Sequence, residues 1–188
     1  MNTNFARQGR VSTLWILLLT LTSTATTLAL GCAMPFAALA ALAALHLRQR
    51  DGLNLLGLAW VANQAVGFGL MGYPHDPRTI AWGVGLATAA IGSGLGAYAA
   101  LARVPRLSPA FRGIIALVVA FIAFKAVVLA WALVLGGVQT TLSPFYSSRQ
   151  FVRDGAILIG LLALYHTLVR IGLPAPVVEP ARARRAAA

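Results

Sequence analysis

Long apolar segments alternate with short polar ones along the whole chain. A helix rises ~1.5 Å per residue, so ~20 apolar residues cross a hydrocarbon core of ~30 Å. The pattern therefore predicts an all-α polytopic membrane protein, a compact bundle of six transmembrane helices. Their predicted bounds are 13–30, 33–47, 53–71, 79–102, 113–135 and 155–173.

The composition agrees with a bilayer environment. Hydrophobic residues make up 59% of the chain and charged residues 10%, against ~45–50% and ~25% in soluble domains. Six helices nearly fill the 188 residues, which leaves no room for a soluble domain. We predict a cytoplasmic segment over 1–12, the transmembrane domain over 13–173 and a disordered, basic cytoplasmic tail over 174–188.

The arginines predict the topology. If the chain turns within 31–35, most arginines of the loops and termini lie on one side, and only Arg78, Arg149 and Arg153 lie on the other. If 13–47 were one kinked helix, most would face outward. The positive-inside rule favours the turn, with both termini in the cytoplasm of an inner-membrane protein. These scattered arginines account for the net charge of +11, so no nucleic-acid partner is expected.

The first apolar segment has a second interpretation. Its end, Ala29-Leu30-Gly31-Cys32, resembles a lipoprotein cleavage site, although Ala29 stands where a branched aliphatic residue is usual. The apolar stretch is also longer than the ~7–15 residues of a signal peptide. Cleavage of residues 1–31 stays open as an alternative.

The stretch 53–78 is the one around which we expect the bundle to be organised. Two amides, Asn63 and Gln64, lie at the middle of its helix, and at least one of them must face other helices or a wet cavity. The helix stops before Tyr73 and Pro74, and a polar external loop containing His75 follows.

Lys125 is the most informative single residue, because it lies midway along the fifth predicted helix. A charge there costs ~2.5–3.5 kcal/mol on insertion scales. Centring each helix in the bilayer predicts a polar cluster at one depth. Lys125 would bind an anionic group there, or else belong to a structural network in deprotonated form. The predicted members of the cluster are Asn63, Gln64, Lys125, Tyr165 and His166.

The second predicted helix is short, about 22 Å at ~1.5 Å per residue. Either the bilayer is thinner here, or the connection at Cys32 lies below the outer surface. The second alternative predicts a recessed pocket that opens outward near Cys32, Met34 and Phe36. The external loop before the last helix carries Phe145, Tyr146 and Phe151, as an interfacial anchor or as a lid over the pocket. The predicted ligand-binding residues are Cys32, Asn63, Gln64, Tyr73, His75 and Lys125.

Signatures of catalysis and of metal binding are weak. The acids are expected outside the helices or at their edges, and no motif of a known enzyme class occurs, so we predict no enzymatic activity and no cofactor. His46, His75 and His166 are expected at three different depths. His75 with Asp76, near Cys32 and Met34, is a weak candidate for a soft-metal site, so metal binding stays open.

Small residues recur at every fourth position in two helices. The rows Ala33, Ala37, Ala41 and Gly92, Gly96 either pack the chain's own helices or dock a partner membrane subunit.

The arrangement of six short helices with both ends inside, a recessed first external loop and an Ala33, Ala37, Ala41 row resembles the vitamin-binding S-subunits of energy-coupling-factor transporters. In that family the alanine row lies on the first helix, and here it lies on the second. The resemblance implies an outward-facing site for a vitamin or metal complex, with Cys32 as a cobalt ligand. We therefore expect a protein that binds and transports a small solute. The alternative is a non-transporting accessory or assembly subunit.

Overall fold

The computed structural model describes residues 11, 13–22 and 35–176. Within these residues every regular element is a helix, which confirms the predicted all-α class. The helices are α1 (Thr13–Thr22), α2 (Phe36–His46), α3 (Gln49–Gly69), α4 (Pro77–Arg103), α5 (Pro109–Leu135), α6 (Val138–Leu142) and α7 (Pro144–Arg170).

Three of the described helices, α4, α5 and α7, are long and apolar enough to cross a membrane, with 27 residues each. Helix α3 has 21 residues, but Asn54, Asn63 and Gln64 lower its hydropathy, and it is not among the three. Helices α1 and α2 are shorter apolar helices. The number of six spans therefore stays a prediction.

Helix α2 lies at the centre of the bundle. Every residue from Phe36 to Ala44 is buried, and the helix packs against α3, α4, α5 and α7. A helix that is apolar all round is typical of such a fully enclosed position. The element around which the bundle is organised is therefore this 11-residue helix, and the expectation that the stretch 53–78 has this role was wrong.

Small residues let α4 pack closely on α5. An added Cβ at Gly85 would lie 2.9 Å from the Trp131 ring, and one at Gly96 would lie 3.1 Å from the Cβ of Ala123. Gly92 likewise faces the side chain of Val127.

The two predicted rows of small residues are thus used inside the chain. Gly92 and Gly96 face α5, and Ala37 and Ala41 are buried in the core of the bundle. Ala33 lies outside the described residues. A partner subunit would have to bind another face.

The start of α1 and the end of α2 lie at the same end of the bundle. The ring of Tyr165 on α7 is 4.9 Å from that of Trp15 and 4.0 Å from that of His46, between centroids. Helix α1 therefore leaves this end and α2 returns to it. Residues 31–34 of the predicted turn lie outside the described part, so the turn stays a prediction.

We call this the basic end. It contains the last residues of α2, α4 and α7 and the first residues of α3 and α5, as the contacts of Tyr98 with α2 and of His46 with α7 show. The described arginines in these segments are Arg48, Arg50, Arg103, Arg106, Arg112 and Arg170.

Large aliphatic side chains cover the outside of the bundle. Exposed apolar side chains of this kind suit contact with lipid chains. Exposed examples on the longer helices are Leu58, Val61, Ile80, Ile122, Leu133 and Ile159.

Candidate functional site

A buried ion pair lies in the interior of α7. The side chain of Asp154 is 1% exposed, and its Oδ1 atom is 3.2 Å from Nη2 of Arg153, whose side chain is 24% exposed. Among the described residues Asp154 is the one charged residue that is buried. Charges at such positions in membrane helices usually mark functional sites.

The expectation that Asp154 lies at the edge of a helix was wrong, because α7 begins earlier than the apolar pattern predicts. The segment expected to be an external loop forms α6 and the first turns of α7. Pro144 is the first residue of α7, a position where its fixed φ angle favours a helix. Asp154 therefore lies close to the middle of a 27-residue helix.

The aromatic residues of that segment separate into two groups. The ring of Phe151 packs against Phe121 of α5 with centroids 5.1 Å apart. Phe145 and Tyr146 are exposed and contact each other, 5.5 Å between centroids. Phe151 therefore belongs to the helix packing, and only the other two are free to act as an anchor or lid.

Lys125 lies near the middle of α5 and is half-buried. No carboxylate forms an ion pair with it in the part of the chain that the structure describes. The side chain is therefore a partly exposed cation near the middle of α5 that is available to an anionic group.

The Gln64 amide of α3 lies next to α4. The Oε1 atom of Gln64 would be 3.1 Å from a Cβ added at Gly83, and the indole N–H of Trp60 donates to the Gly83 carbonyl oxygen at 2.8 Å. Asn63 is half-buried on the same helix.

These amides and Lys125 are at different depths. Lys125 lies between Ala123 and Val127, which face Gly96 and Gly92 of α4. Its level is thus near Gly94, whereas Gln64 is level with Gly83. Eleven residues along a helix are ~16 Å at ~1.5 Å per residue. The single midplane cluster predicted from the sequence does not form, because centring each apolar stretch misjudges the offsets between helices.

Tyr165 and His166 lie at the basic end and not at the middle of the bundle. The centroid of the His166 ring is 5.9 Å from that of His46, with the rings at 90°, and Tyr165 stacks on His46. The expectation that His46 and His166 differ in depth was therefore wrong. The early start of α7 explains the error, since it puts residue 166 in the last turns of the helix.

The loop between α3 and α4 forms a small aromatic cluster at the opposite end. The ring of Phe68 is 5.2 Å from His75 and 6.1 Å from Tyr73, between centroids. The Tyr73 ring covers Gly67, and its backbone N–H donates to the Gly67 carbonyl oxygen at 3.0 Å. The structure brings these two predicted ligand-binding residues together. Cys32 lies outside the described residues.

Asp76 begins α4 beside this cluster. Its carboxylate accepts hydrogen bonds from the Thr79 hydroxyl and N–H and from the Arg78 N–H, at 2.6, 3.0 and 2.9 Å. These bonds, that of the Thr79 hydroxyl foremost, lower the pKa of Asp76 below its ordinary value of 3.8. The carboxylate is thus engaged as a helix cap.

A metal centre is not evident in the residues that the structure covers, since they hold no group of three His, Cys, Asp or Glu side chains able to bind an ion. No protein-family model, curated protein or solved structure matches the chain.

The residue that sequence reasoning missed is Asp154. The signal that would have found it is Pro144, which marks the first turn of α7 and so extends the helix across Asp154.

Proposed function

We propose that this chain is a multi-pass inner-membrane protein that binds and transfers a small solute, with the charged groups inside α5 and α7 as binding groups. The observation that carries the proposal is the burial of Asp154, 1% exposed near the middle of a helix that is apolar and long enough to span a membrane.

The energetics of the pair support a role beyond stability. Moving a charged side chain to the middle of a membrane helix costs ~2.5–3.5 kcal/mol on insertion scales. Replacing a buried ion pair by apolar residues is often neutral or stabilising. Two leucines in place of Arg153 and Asp154 would therefore stabilise the fold about as well. Solute binding accounts for the presence of the charged pair.

Lys125 supports a solute with an anionic group. The Arg153 guanidinium already has the Asp154 carboxylate as a partner, whereas Lys125 adds an interior positive charge without a paired carboxylate among the described residues. Such a charge is best stabilised by an anion in a site of low dielectric constant.

The ligand-binding residues predicted from the sequence remain part of this proposal, at different depths in the bundle. Tyr73 and His75 would lie at the outer mouth, Asn63 and Gln64 between α3 and α4, and Lys125 deeper in the bundle. Cys32 is kept as a ligand-binding residue on the strength of the sequence alone.

The topology we propose has six crossings with the basic end in the cytoplasm. It is supported by the six arginines of that end against Arg78 and Arg149 at the other. A phosphatase reporter that is active only outside the cytoplasm, fused to Ala188, should be inactive. An active fusion would reject this topology.

The function is tested by purifying the protein in mild detergent and recording its native mass spectrum. We expect a bound small molecule that is lost from Asp154→Asn and from Lys125→Met and retained by Asp76→Asn, which alters a carboxylate outside the interior. If the wild-type protein carries another polypeptide and no small molecule, the accessory-subunit function takes its place.

A further inference from the structure

Three basic side chains from three helices meet at the basic end. His46 is the last residue of α2, Arg112 lies in the first turns of α5, and His166 lies near the end of α7. Both Arg112 and His166 interact electrostatically with His46. The backbones of α2 and α5 are close here, since a Cβ added at Gly113 would lie 3.9 Å from the Leu45 side chain.

The acidic side chains in the described part of the chain interact with other groups. The electrostatic partners of His46 there are His166 and Arg112. Asp154 is paired with Arg153, Asp76 caps α4 at the opposite end, and Asp51 acts on Tyr98. The guanidinium of Arg112 thus places a permanent positive charge beside two imidazole rings, and each ring can donate a hydrogen bond to an anion.

One hydrogen-bond donor of Arg112 has no acceptor among the described residues. Its Nε atom is buried and makes no hydrogen bond within the described residues. A buried N–H of a charged group without an acceptor is costly. The planar guanidinium presents N–H groups in a geometry that matches two oxygens of one phosphate.

Aromatic rings form a wall beside the three basic groups. Tyr165 stacks on His46 and contacts Trp15, and the Trp15 indole N–H donates to the Pro174 carbonyl oxygen at 2.9 Å. Tyr and Trp are typical of the level of lipid headgroups, where basic pockets between helices bind phosphate-bearing lipids. The His166 side chain is exposed, so the group is open at its edge.

We infer that His46, Arg112 and His166 form a binding site for a phosphate group, presented by an anionic phospholipid or by a soluble phosphate. The site is independent of the solute site proposed above, because it uses other residues at one end of the bundle.

The test measures thermal stability of the full chain after extensive detergent exchange. Three additives are titrated separately: dioleoylphosphatidylglycerol, dioleoylglycerol, which has the same acyl chains without phosphate, and inorganic phosphate. We expect the phosphate-bearing lipid or inorganic phosphate to raise the melting temperature of the wild-type protein. A response to the lipid alone assigns the site to a headgroup, and a response to inorganic phosphate assigns it to a soluble ligand.

Two variants and a matched control locate the effect. Arg112→Gln and His166→Gln should each weaken the apparent affinity roughly tenfold, the loss of one charge-assisted hydrogen bond. Arg103→Gln removes an arginine of the same end whose Nη1 donates to Ala99 of its own helix, and it should respond like the wild type. If Arg112→Gln does not fold, the apparent affinity of His166→Gln tests the inference, because the His166 side chain is exposed.

Three results would overturn the inference. The first is no stabilisation by either phosphate source. The second is equal stabilisation by dioleoylglycerol, which would assign the effect to the acyl chains. The third is an unaltered response of His166→Gln, or an equal loss in Arg103→Gln, which would reduce the effect to the general charge of this end.

Discussion

The hydroxyl group of Tyr98 on α4 lies 2.9 Å from the carbonyl oxygen of Ala43 in the last turn of α2. It is also 3.2 Å from the carbonyl oxygens of Leu47 and Arg48, which follow that helix. The Ala43 oxygen also accepts from the Leu47 N–H at 2.8 Å, and the Arg48 oxygen accepts from the Gly52 N–H at 2.9 Å. The Tyr98 hydroxyl therefore joins α4 to the end of the central helix. Gly52 leaves space for it, because a methyl group there would overlap the hydroxyl.

Tyr98→Phe should lower the free energy of unfolding by about 1 kcal/mol, because it removes the partly buried hydrogen bond between α4 and the end of α2. Denaturant titration in detergent micelles measures the change. Tyr146→Phe is the control, since this ring is exposed on the first turn of α7 and its hydroxyl should be dispensable. Equal stability of the two variants would mean that water replaces the Tyr98 hydroxyl as hydrogen-bond donor at the end of α2.

Gly85 should not tolerate even one added methyl group. A Cβ there would lie 2.9 Å from Cγ of Trp131, and that indole is held in place by its N–H, which donates to the hydroxyl oxygen of Thr88 at 2.9 Å. Overpacking of this kind costs about 1–3 kcal/mol, so Gly85→Ala should melt at a lower temperature than the wild type.

The matched control for Gly85 is Gly57 on α3. A Cβ at Gly57 would meet nothing within 4 Å, and replacing a glycine inside a helix by alanine favours the helix by about 0.5–1 kcal/mol. Gly57→Ala should therefore be at least as stable as the wild type. A loss of stability as large as that of Gly85→Ala would show that the contact with Trp131 is not the cause.

Much of the fold could be predicted from the apolar pattern. The helices α3, α4 and α5 begin and end within a few residues of their predicted bounds. The central place of α2 could not be predicted, because a short apolar helix can lie against lipid or inside protein, and only the three-dimensional packing distinguishes the two.

The site was less predictable, for a reason of geometry. Depth was inferred by centring each apolar stretch, but α7 begins at Pro144 among polar residues. This error placed Asp154 at a helix edge and His166 at the middle. The neighbours of Gln64 and Lys125 depend on offsets between helices, which are fixed by contacts such as that of Gly96 with Ala123 and not by hydropathy.

Replacing one partner of the ion pair in α7 should lower the stability of the protein more than replacing both. Arg153→Leu leaves Asp154 buried without its partner and should lower the free energy of unfolding by about 3 kcal/mol or more. The double variant Arg153→Leu, Asp154→Leu should recover most of that loss, because two apolar side chains suit the interior. Denaturation of both variants in the same micelles measures the difference. A double variant as unstable as the single one would mean that the pair itself holds the fold.

The cap of α4 should make stability depend on pH in the acid range. Hydrogen bonds from Thr79 and Arg78 lower the pKa of Asp76 in the folded state below 3.8, so the carboxylate stabilises the fold above that pH. The contribution is lost as the pH falls through the lowered pKa. At neutral pH, Asp76→Ala should therefore melt at a lower temperature than the wild type, and the gap should narrow below pH 3.8.

Asp76→Asn separates the charge from the hydrogen bonds of this cap. The amide oxygen can still accept from the backbone N–H groups of Arg78 and Thr79, so most of the capping should survive at neutral pH. The variant has no carboxyl group to titrate at this position, so its melting temperature should fall less steeply than that of the wild type on acidification. Melting temperatures of the three proteins from neutral to acid pH provide the measurement. If the gap between the wild type and Asp76→Ala stays constant into strong acid, the carboxylate is not the group that titrates.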